Sequence, residues 1–417
     1  MMRHGTQLAL ATCVALGMDT TPFSVQPRAQ ERGVTTPVFK VDPLWPKPLP
    51  NHWILGSVTG IWVDAQDHVW LVHRGLASLT ARTEAGLATD PPTAEACCAP
   101  APPVLEFDQA GNLVSYWGGA GPAYEWPQSP GGMAVDSTGH VWIAAAGVSE
   151  PASGRGRAGP PEGAAPPAPA RGAAPAAAPP PQDAHVLKFT RAGALVLQIG
   201  KAGAVQGNTS TTGLNRPADV EVDAAANEVY VADGMGNQRV AVFDATSGVY
   251  KRHWGAYGDP AADAPAMPYD PDAPPSKQFS TVSCVRIASD GLVYVCDRRN
   301  DRVQVFQKNG KFVKEAFVSK TTRGEGSVWD VAFSSDPRQR FLYVADGQDQ
   351  KIFVLRRDTL EVVTSFGAGG RWPGHFYGVG SIAVDSLGNV YTGETFEGKR
   401  LQKFVLQGTG AGRGGRQ

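Results

Sequence analysis

The chain has few cysteines, no long apolar segment and no excess of charge of either sign. It contains five cysteines in 417 residues, too few for a fold built on disulfides, and no Cys-x-x-Cys pair of the kind that holds structural zinc. No apolar run is long enough to span a bilayer. The formal net charge is -1 and the basic residues are dispersed, which argues against nucleic acid as a partner.

Helical periodicity is also missing, and the segment Arg216–Trp254 shows what replaces it. This segment contains four short stretches rich in Val, Tyr or Phe, each bounded by Asp, Asn or Gly, which predicts four strands. The predicted strands are Asp219–Val222, Glu228–Ala232, Arg239–Phe243 and Val249–Trp254. Because one such meander cannot bury both of its faces, we expect copies of it beside it.

The same pattern recurs six times, which predicts an all-β fold, a six-bladed β-propeller with four antiparallel strands in each blade. The predicted blades are Thr59–Gly75 with Pro103–Gly119, Gly131–Gly147 with His185–Gly200, Arg216–Trp254, Ser283–Val318, Trp329–Gly367 and Gly380–Leu406. The sixth blade stops after three strands. We therefore expect Val38–Val41 to supply the missing strand and close the ring.

Three segments fall outside these blades, so the predicted propeller spans residues 37–407. Residues 1–30 contain Arg3, the apolar stretch Leu8–Met18 and a polar region. This order is typical of a signal peptide and predicts export, with a disordered leader as the alternative. Two further segments are predicted to be disordered. They are residues 148–182, an insertion in blade two that is rich in Ala, Pro and Gly, and residues 408–417.

Loop lengths distinguish the two faces of the predicted ring. The first strand of each blade should run down the central channel from one face, which we call the top face. Turns at the bottom are short, whereas the loops on the top face are long, which favours a function there. The long loops are Gly75–Pro102, Val148–Ala184, Lys201–Asn215 and Ala256–Gln278.

Residues at the start of the first strands should line the top of the channel. Two of them, Asp219 and Asp330, are carboxylates that either bind a cation or accept hydrogen bonds from backbone N–H groups. Arg74 is either an anion clamp at the channel mouth or the partner of a neighbouring carboxylate. Four aromatic residues either form a rim suited to peptides or sugars or pack between blades. These are Trp126, Trp329, Trp372 and Tyr377.

An aspartate follows the second strand in three consecutive blades, at Asp233, Asp297 and Asp346. Recurrence in separate blades indicates a structural role. We expect these carboxylates to bond turn backbone, with Arg239 and Arg302 joining neighbouring strands.

Four cysteines fall outside the leader. Cys284 and Cys296 lie on neighbouring predicted strands and either form a disulfide or remain buried thiols. Cys97 and Cys98 are adjacent in a loop and either form a vicinal disulfide or stay free.

Motifs at the tops of the strands resemble those of NHL-repeat propellers. They are GSVTG from Gly56, VHRG from Val72, RPAD from Arg216 and VADG from Val231. More narrowly, nearly all of Pro37–Leu406 resembles the peptidyl-α-hydroxyglycine α-amidating lyases and their exported bacterial relatives. This resemblance implies zinc held by three histidines from alternate blades, a tyrosine base and an arginine that stabilises charge.

Carried onto this sequence, the lyase residues are mostly replaced. The arginine is present as Arg74, whereas the tyrosine position is Met235 and Ser381 replaces an acidic residue that helps hold calcium. The zinc positions fall on Gly131, Ser283 and Gly380. Without imidazole ligands and a phenol, the lyase reaction lacks its Lewis acid and its base. We expect no zinc at this position, while calcium stays open.

Three other histidines map to the top face, at His73, His185 and His375. They either form a rearranged zinc site or are ordinary loop and strand-end residues.

Two functions of different class follow. The first is an exported propeller that binds a peptide, glycan or small anionic ligand on its top face without catalysis. The expected ligand-binding residues are Asp219, Met235, Ser283, Trp329, Asp330 and Tyr377, with Arg74 as the charged group. The alternative is an enzyme with Arg74 as its candidate catalytic residue, either an amidating-lyase-like protein with divergent metal ligands or a hydrolase that uses Asp219, Asp330 and Arg74.

Overall fold

The computed structural model describes residues 1–2, 35–80, 83–147, 182–264 and 267–411. The predicted leader, the insertion up to residue 181 and residues 412–417 therefore lie outside the described residues, apart from Met1 and Met2. Within the described ranges, no helix is long and apolar enough to cross a membrane.

Six four-stranded antiparallel sheets follow one another along the chain, which confirms the six-bladed β-propeller. Blade one comprises β3 (Val58–Val63), β4 (Val69–His73), β6 (Val104–Phe107) and β7 (Leu113–Trp117). Blade two comprises β8 (Pro130–Val135), β9 (Val141–Ala145), β10 (His185–Phe189) and β11 (Leu195–Gly200). Blade three comprises β12 (Asp219–Asp223), β13 (Glu228–Asp233), β14 (Arg239–Asp244) and β15 (Tyr250–Trp254).

The second half of the ring repeats this order. Blade four comprises β16 (Val282–Ile287), β17 (Val293–Asp297), β18 (Arg302–Phe306) and β19 (Phe312–Phe317). Blade five comprises β20 (Asp330–Phe333), β21 (Phe341–Asp346), β22 (Lys351–Arg356) and β23 (Val362–Phe366). Blade six comprises β24 (Val379–Val384), β25 (Val390–Glu394), β26 (Leu401–Ala411) and β1 (Thr35–Asp42).

The remaining elements are short. Two-residue strands β2 (Trp53–Ile54) and β5 (Ala99–Pro100) pair in parallel beside blade one. Single 3-10 turns are found at Gly75–Ser78, Gly86–Ala88, Ala256–Gly258 and Arg298–Asn300.

The ring closes as predicted, because β1 pairs antiparallel with β26 in blade six. The closing strand is longer than the predicted Val38–Val41 and begins at Thr35, opposite Ala411. Residues 408–411 were predicted to begin a disordered tail, and this part of the prediction is wrong. The first residues of β1 pair with them and satisfy their backbone groups.

Neighbouring blades share their hydrophobic cores. The second strand of each blade is buried along its whole length, whereas the fourth strand is partly exposed, as at Leu113–Trp117. Each core cluster contains residues from two adjacent blades, as where Tyr230 of blade three joins Phe306 of blade four. A blade therefore depends on its neighbours for stability.

Both cysteine pairs form disulfides. Cys284 and Cys296 face each other in the register of β16 and β17 and are bonded. Cys97 and Cys98 form a vicinal disulfide just before β5.

Candidate functional site

Register shifts at the tops of four first strands point residues into the channel mouth. In blades one, two, four and six, the residues left out of the pairing register are Thr59, Gly131 with Gly132, Ser283 and Gly380. A bulge turns its extra residue out of the regular ladder. Blades three and five have no such shift between their first two strands.

A cavity of about 570 Å³ occupies this mouth and takes lining residues from all six blades. It contains most of the residues singled out in the sequence. These are Arg74, Gly131, Met235, Ser283, Trp329, Tyr377 and Gly380. The long loops that suggested a functional top face contribute less to the cavity than the short segments beside the first strands do.

Arg74 brings an unpaired positive charge to the cavity. Its position is fixed by its backbone N–H, which donates to the carbonyl of Ser57 at 3.0 Å. Its Nε is buried without a partner, and no described residue forms a hydrogen bond or ion pair with its guanidinium. Burial lowers the pKa of Arg74, because desolvation disfavours the charged form. A carboxylate partner, one of the two predicted possibilities, is absent from the described part of the chain.

Arg298 is the second arginine of the cavity. Its Nη2 lies 2.7 Å from Oε2 of Glu325, and its guanidinium stacks 4.6 Å above the ring of Trp329. Burial, together with the charges of Arg299 and Arg74, lowers the pKa of Arg298 to about 10, although Glu325 opposes this shift. The two cavity arginines are therefore close enough to repel each other.

Glu325 does not neutralise this positive region. Its carboxylate forms ion pairs with both Arg298 and Arg299, and Nη2 of Arg299 lies 3.3 Å from Oε2 of Glu325. Glu397, at the cavity edge, is paired with Lys399 at 3.4 Å. Each of these carboxylates is thus paired with another basic residue, and the guanidinium of Arg74 has no counter-ion among the described residues.

Aromatic side chains also line the cavity. Trp329 donates its indole N–H to the carbonyl of Gly326 at 2.7 Å and meets Phe396 edge-on with ring centroids 5.7 Å apart. Tyr377 is 42% exposed at the rim, with Arg371 over its ring. Trp329 therefore both packs against its neighbours and faces the cavity.

The predicted aromatic rim is smaller than expected. Trp126 packs against Phe189 with ring centroids 6.1 Å apart, as its packing alternative predicted. Trp372 is 77% exposed and does not line the cavity.

Asp219 and Asp330, which were predicted to contact a ligand or a cation, do not line the cavity. Arg286 stands between them. Its Nη1 donates a hydrogen bond to Oδ2 of Asp219. Its Nη2 lies 2.9 Å from Oδ1 of Asp330. Asp219 also accepts a hydrogen bond from the backbone N–H of Val285 at 3.2 Å, and Asp330 accepts one from that of Ile382 at 3.1 Å. The backbone-acceptor alternative is confirmed.

This buried network carries more negative than positive groups. Glu221 joins Asp219 and Asp330 around Arg286, and Trp62 lies under the guanidinium at 5.8 Å. Burial raises the pKa of Glu221 to about 8 and that of Asp330 to about 7, while Arg286 counteracts both shifts. One guanidinium cannot compensate three buried carboxylates, so at least one of them stays protonated near neutral pH.

We expect the stability of the protein to fall as the pH rises from 5 to 8. The folded pKa of Glu221, about 8, is above its unfolded value of 4.5. Its stabilising contribution is therefore complete below the unfolded value and is lost as the pH rises through the folded value, by about 1 kcal/mol per pH unit. Denaturant unfolding at several pH values measures this slope.

A pair of variants isolates the contribution of Glu221. Glu221→Gln should flatten the slope, because the neutral side chain releases no proton on unfolding. Glu228→Gln in the same blade should leave it unchanged between pH 5 and 8, since the bond to Arg252 lowers the pKa of Glu228 to about 2. Equal slopes in the wild type and Glu221→Gln would contradict the assignment.

The positions to which the lyase resemblance assigns zinc meet in the cavity but do not fit the metal. Gly131, Ser283 and Gly380 come from alternate blades and all line the cavity. The hydroxyl of Ser283 donates to the carbonyl of Val328 at 3.1 Å. A Cβ atom at Gly131 would lie 2.4 Å from the carbonyl oxygen of Ala218, so a histidine would not fit there. Glycine and serine do not provide the nitrogen or sulfur ligands that zinc prefers.

His73 is a structural residue. Its Nδ1 accepts the N–H groups of Gly56 and Gly75, both at 3.0 Å, and its Nε2 lies 2.9 Å from the carbonyl of Pro102. Burial lowers the pKa of His73 to about 4, which keeps the ring neutral. His185 is buried beside the carbonyl of Glu125. The described residues therefore do not form a rearranged zinc site from His73, His185 and His375.

One cluster of possible metal ligands, Asp64, His68 and Glu106, occurs among the described residues, with ligand atoms within 4.8 Å of one another. It lies in and beside the first turn of blade one, at the bottom of the ring. Arg191 occupies its centre, 3.1 Å from both Asp64 and His68 and bonded to Glu106. The guanidinium already supplies the positive charge of this cluster.

One protein-family comparison agrees with the fold. Residues 279–306, in blade four, match the NHL repeat. The fold and this match define a six-bladed β-propeller that contains an NHL repeat. No curated protein matches the sequence.

Several solved structures are similar to the chain. An inactive virginiamycin B lyase from Staphylococcus aureus with quinupristin is 13% identical, at a TM-score of 0.44 and 89% coverage of each chain. A streptogramin B lyase is 9% identical, with a TM-score of 0.48 over 88% of this chain and 98% of its own. The WD40 propeller domain of Doa1 is 8% identical, with a TM-score of 0.44 over 84% of this chain and 78% of its own. At these identities the likenesses carry no information about activity.

Proposed function

We propose that the cavity at the channel mouth binds a small organic carboxylate with an apolar body, such as the C-terminal end of a short peptide, without a metal. The observation that carries this proposal is the guanidinium of Arg74. It faces the cavity, is partly desolvated and has no partner among the described residues. A bound carboxylate would supply the missing counter-ion through charge-assisted hydrogen bonds.

The rest of the cavity suits the same ligand. Arg298 adds a second positive group, which a carboxylate placed between the two arginines would also stabilise. Trp329 and Phe396 provide apolar surface beside these charges. A few placed polar groups within an apolar lining are typical of small-molecule sites.

An enzyme of the lyase or hydrolase type is supported less well. Met235, at the position of the lyase tyrosine, cannot accept a proton. Asp219 and Asp330, the carboxylates that a hydrolase would use, are held by Arg286 beneath the cavity. Retention of Arg74 agrees with either function, so the preference for binding rests on the missing proton acceptor and zinc ligands.

We further propose that the protein acts after export. The composition of residues 1–30 supports this, and so do the two disulfides, which persist in oxidising compartments. Mass spectrometry of the protein from the cell exterior or periplasm should show the loss of an N-terminal segment ending before Thr35. Recovery of the intact chain from the cytoplasm alone would contradict export.

Calorimetric titration tests the binding proposal with two probes, N-acetyl-L-phenylalaninate and its uncharged amide, in the presence of EDTA. The carboxylate should bind about 10-fold more tightly or better, since a hydrogen bond to a charged group contributes about 1.5–3 kcal/mol. Arg74→Ala should remove this preference while leaving the weak binding of the amide unchanged.

Arg323→Ala is the matched control. Arg323 is exposed and lines a separate pocket beside Met267, so its loss changes the net charge equally without altering the cavity. This variant should keep the full preference for the carboxylate. Equal affinities for the two probes, or a preference that survives Arg74→Ala, would show that the cavity does not bind carboxylates through Arg74.

A further inference from the structure

The aspartate after the second strand has a fixed set of partners in two blades. In blade four, Oδ2 of Asp297 accepts hydrogen bonds from Nδ2 of Asn300 at 2.7 Å and from Nε of Arg302 at 2.8 Å. The same two bonds, at the same distances, hold Asp233 in blade three. In both blades, an amide and a guanidinium compensate a fully buried carboxylate.

Blade five lacks these donors. At the corresponding positions, Asp346 is followed by Asp349 instead of asparagine and by Lys351 instead of arginine. Oδ1 of Asp346 accepts the N–H groups of Gln348 and Asp349 at 2.9 and 2.8 Å. Oδ2 is buried and has no hydrogen-bond partner among the described residues, and Lys351 forms no ion pair with it. The expected structural role of this third recurrent aspartate is therefore only half fulfilled.

A second incompletely bonded carboxylate lies beside it. Asp301 is fully buried and adopts the left-handed conformation, with φ of 52°, at the end of the turn after β17. Its Oδ1 accepts the N–H of Ser327 at 2.8 Å, whereas its Oδ2 is buried without a partner. The N–H of Trp329, two residues after Ser327, donates to the carbonyl of Ala345 at 2.9 Å, so the segment that Asp301 binds runs beside Asp346. The charges of Asp349 and Asp301 also raise the pKa of Asp346.

We propose that Asp301, Asp346 and Asp349 bind a divalent cation, Ca²⁺, between blades four and five. The ion would take the place that an asparagine amide and an arginine guanidinium occupy in the neighbouring blades. Two buried carboxylate oxygens without donors are costly unless a positive group compensates them. Carboxylates without nitrogen or sulfur ligands favour a hard cation.

The arrangement favours Ca²⁺ over Mg²⁺. The ligand atoms of Asp64, His68 and Glu106 lie within 4.8 Å of one another, whereas the oxygen atoms of these three carboxylates do not all lie so close. Asp349 is exposed, so its side chain is able to rotate inward when the ion arrives. Ca²⁺ accepts irregular coordination, whereas Mg²⁺ demands a nearly ideal octahedron.

The proposed ion would fix a wall of the cavity at the channel mouth. Asp301 bonds the backbone of Ser327, and the side chain of Gln348 accepts the N–H of Glu325 at 3.5 Å. The same segment carries Trp329. The calcium site does not depend on the proposed carboxylate ligand, because its own ligands lie outside the cavity lining.

Calcium binding to the full-length protein, first stripped with EDTA, tests this inference. We would titrate CaCl2 calorimetrically at pH 8, where protons compete less, because burial raises the pKa of Asp301 and Asp346 to about 7. The wild type should bind Ca²⁺, and its melting temperature should rise by roughly 3 °C or more at about 100 times the dissociation constant.

The double variant Asp349→Asn with Lys351→Arg installs the partner set of blade four. It should lose one calcium site, should melt above the metal-free wild type, and should not respond to CaCl2. Asp290→Asn, which removes an exposed carboxylate elsewhere in blade four, should keep the calcium response.

Two results would overturn the proposal. The first is a wild type that neither binds Ca²⁺ nor gains stability from it. The second is calcium binding of unchanged stoichiometry in the double variant, which would place the ion elsewhere, for example at Asp64, His68 and Glu106. Circular dichroism of each variant confirms that its fold is retained.

Discussion

Replacement of Arg286 with leucine should lower the free energy of unfolding at pH 7 by about 3–5 kcal/mol, because breaking a buried ion pair from one side leaves its partners uncompensated. Arg286 is the positive group among Asp219, Glu221 and Asp330 at the centre of the ring. It also links blades three, four and five, since it belongs to β16 and bonds carboxylates of β12 and β20. Urea denaturation measures the loss.

The pH dependence of this loss distinguishes charge from packing. At pH 5 Glu221 and Asp330 are largely protonated, since their pKa values are raised to about 8 and about 7, so the variant should lose less stability than at pH 8. Arg340→Leu provides the control, because the ion pair of Arg340 with Asp336 is exposed and should contribute about 0–1 kcal/mol. A loss below about 1 kcal/mol for Arg286→Leu, or one equal at both pH values, would contradict a compensating role.

The same substitution should destabilise the protein in blade three but not in blade five. Asp233→Asn should cost about 3–5 kcal/mol, because Arg239 is fully buried and would lose its compensating charge. Arg239 also donates to the carbonyls of Asn208 and Gly213 at 2.8 and 2.7 Å, so it holds the loop before blade three. Thermal or denaturant unfolding in EDTA measures the change.

In blade five, Asp346→Asn should be neutral or stabilising in EDTA. The asparagine Oδ1 is able to keep the two backbone bonds, and its amide places a donor where the aspartate has an unpaired oxygen. Asp233→Asn and Asp346→Asn are the same substitution, so a difference between them reflects the hydrogen-bond partners of the aspartate in each blade. Similar losses in both blades would mean that the repeat comparison misjudges blade five.

The fold could be predicted because it is repeated. One blade, Arg216–Trp254, shows alternating strands and turn residues clearly enough to find the other five, and the incomplete blade six requires a closing strand from before blade one. The end of that strand could not be placed. The pairing of residues 408–411 depends on the length of β1, and small residues such as Gly408 and Gly410 carry no strand signal.

The site was predicted in position more than in detail. Repeat alignment brought Arg74, Met235 and Ser283 to the channel mouth, since equivalent strand positions meet on the axis. It also placed Asp219 and Asp330 there, because a sequence does not show how deep a side chain lies. Arg286 was missed. Its signal was a charged residue near the end of a mostly apolar first strand, which calls for a buried partner.

Glu325 was missed for a different reason. It lies in a blade-to-blade loop outside the repeated pattern, where alignment of the blades gives no position. Its pairing with Arg298 and Arg299 depends on how the loop folds back over blade four.

The most direct test of carboxylate binding at the channel mouth is a crystal structure of the protein with N-acetyl-L-phenylalaninate. We expect the carboxylate oxygens within about 3.2 Å of the guanidinium of Arg74, the range of an ordinary N–H···O bond. The phenyl ring should lie against Trp329 or Phe396. A ligand bound with its carboxylate away from Arg74, or bound in the separate pocket beside Met267 and Arg323, would contradict the proposed function.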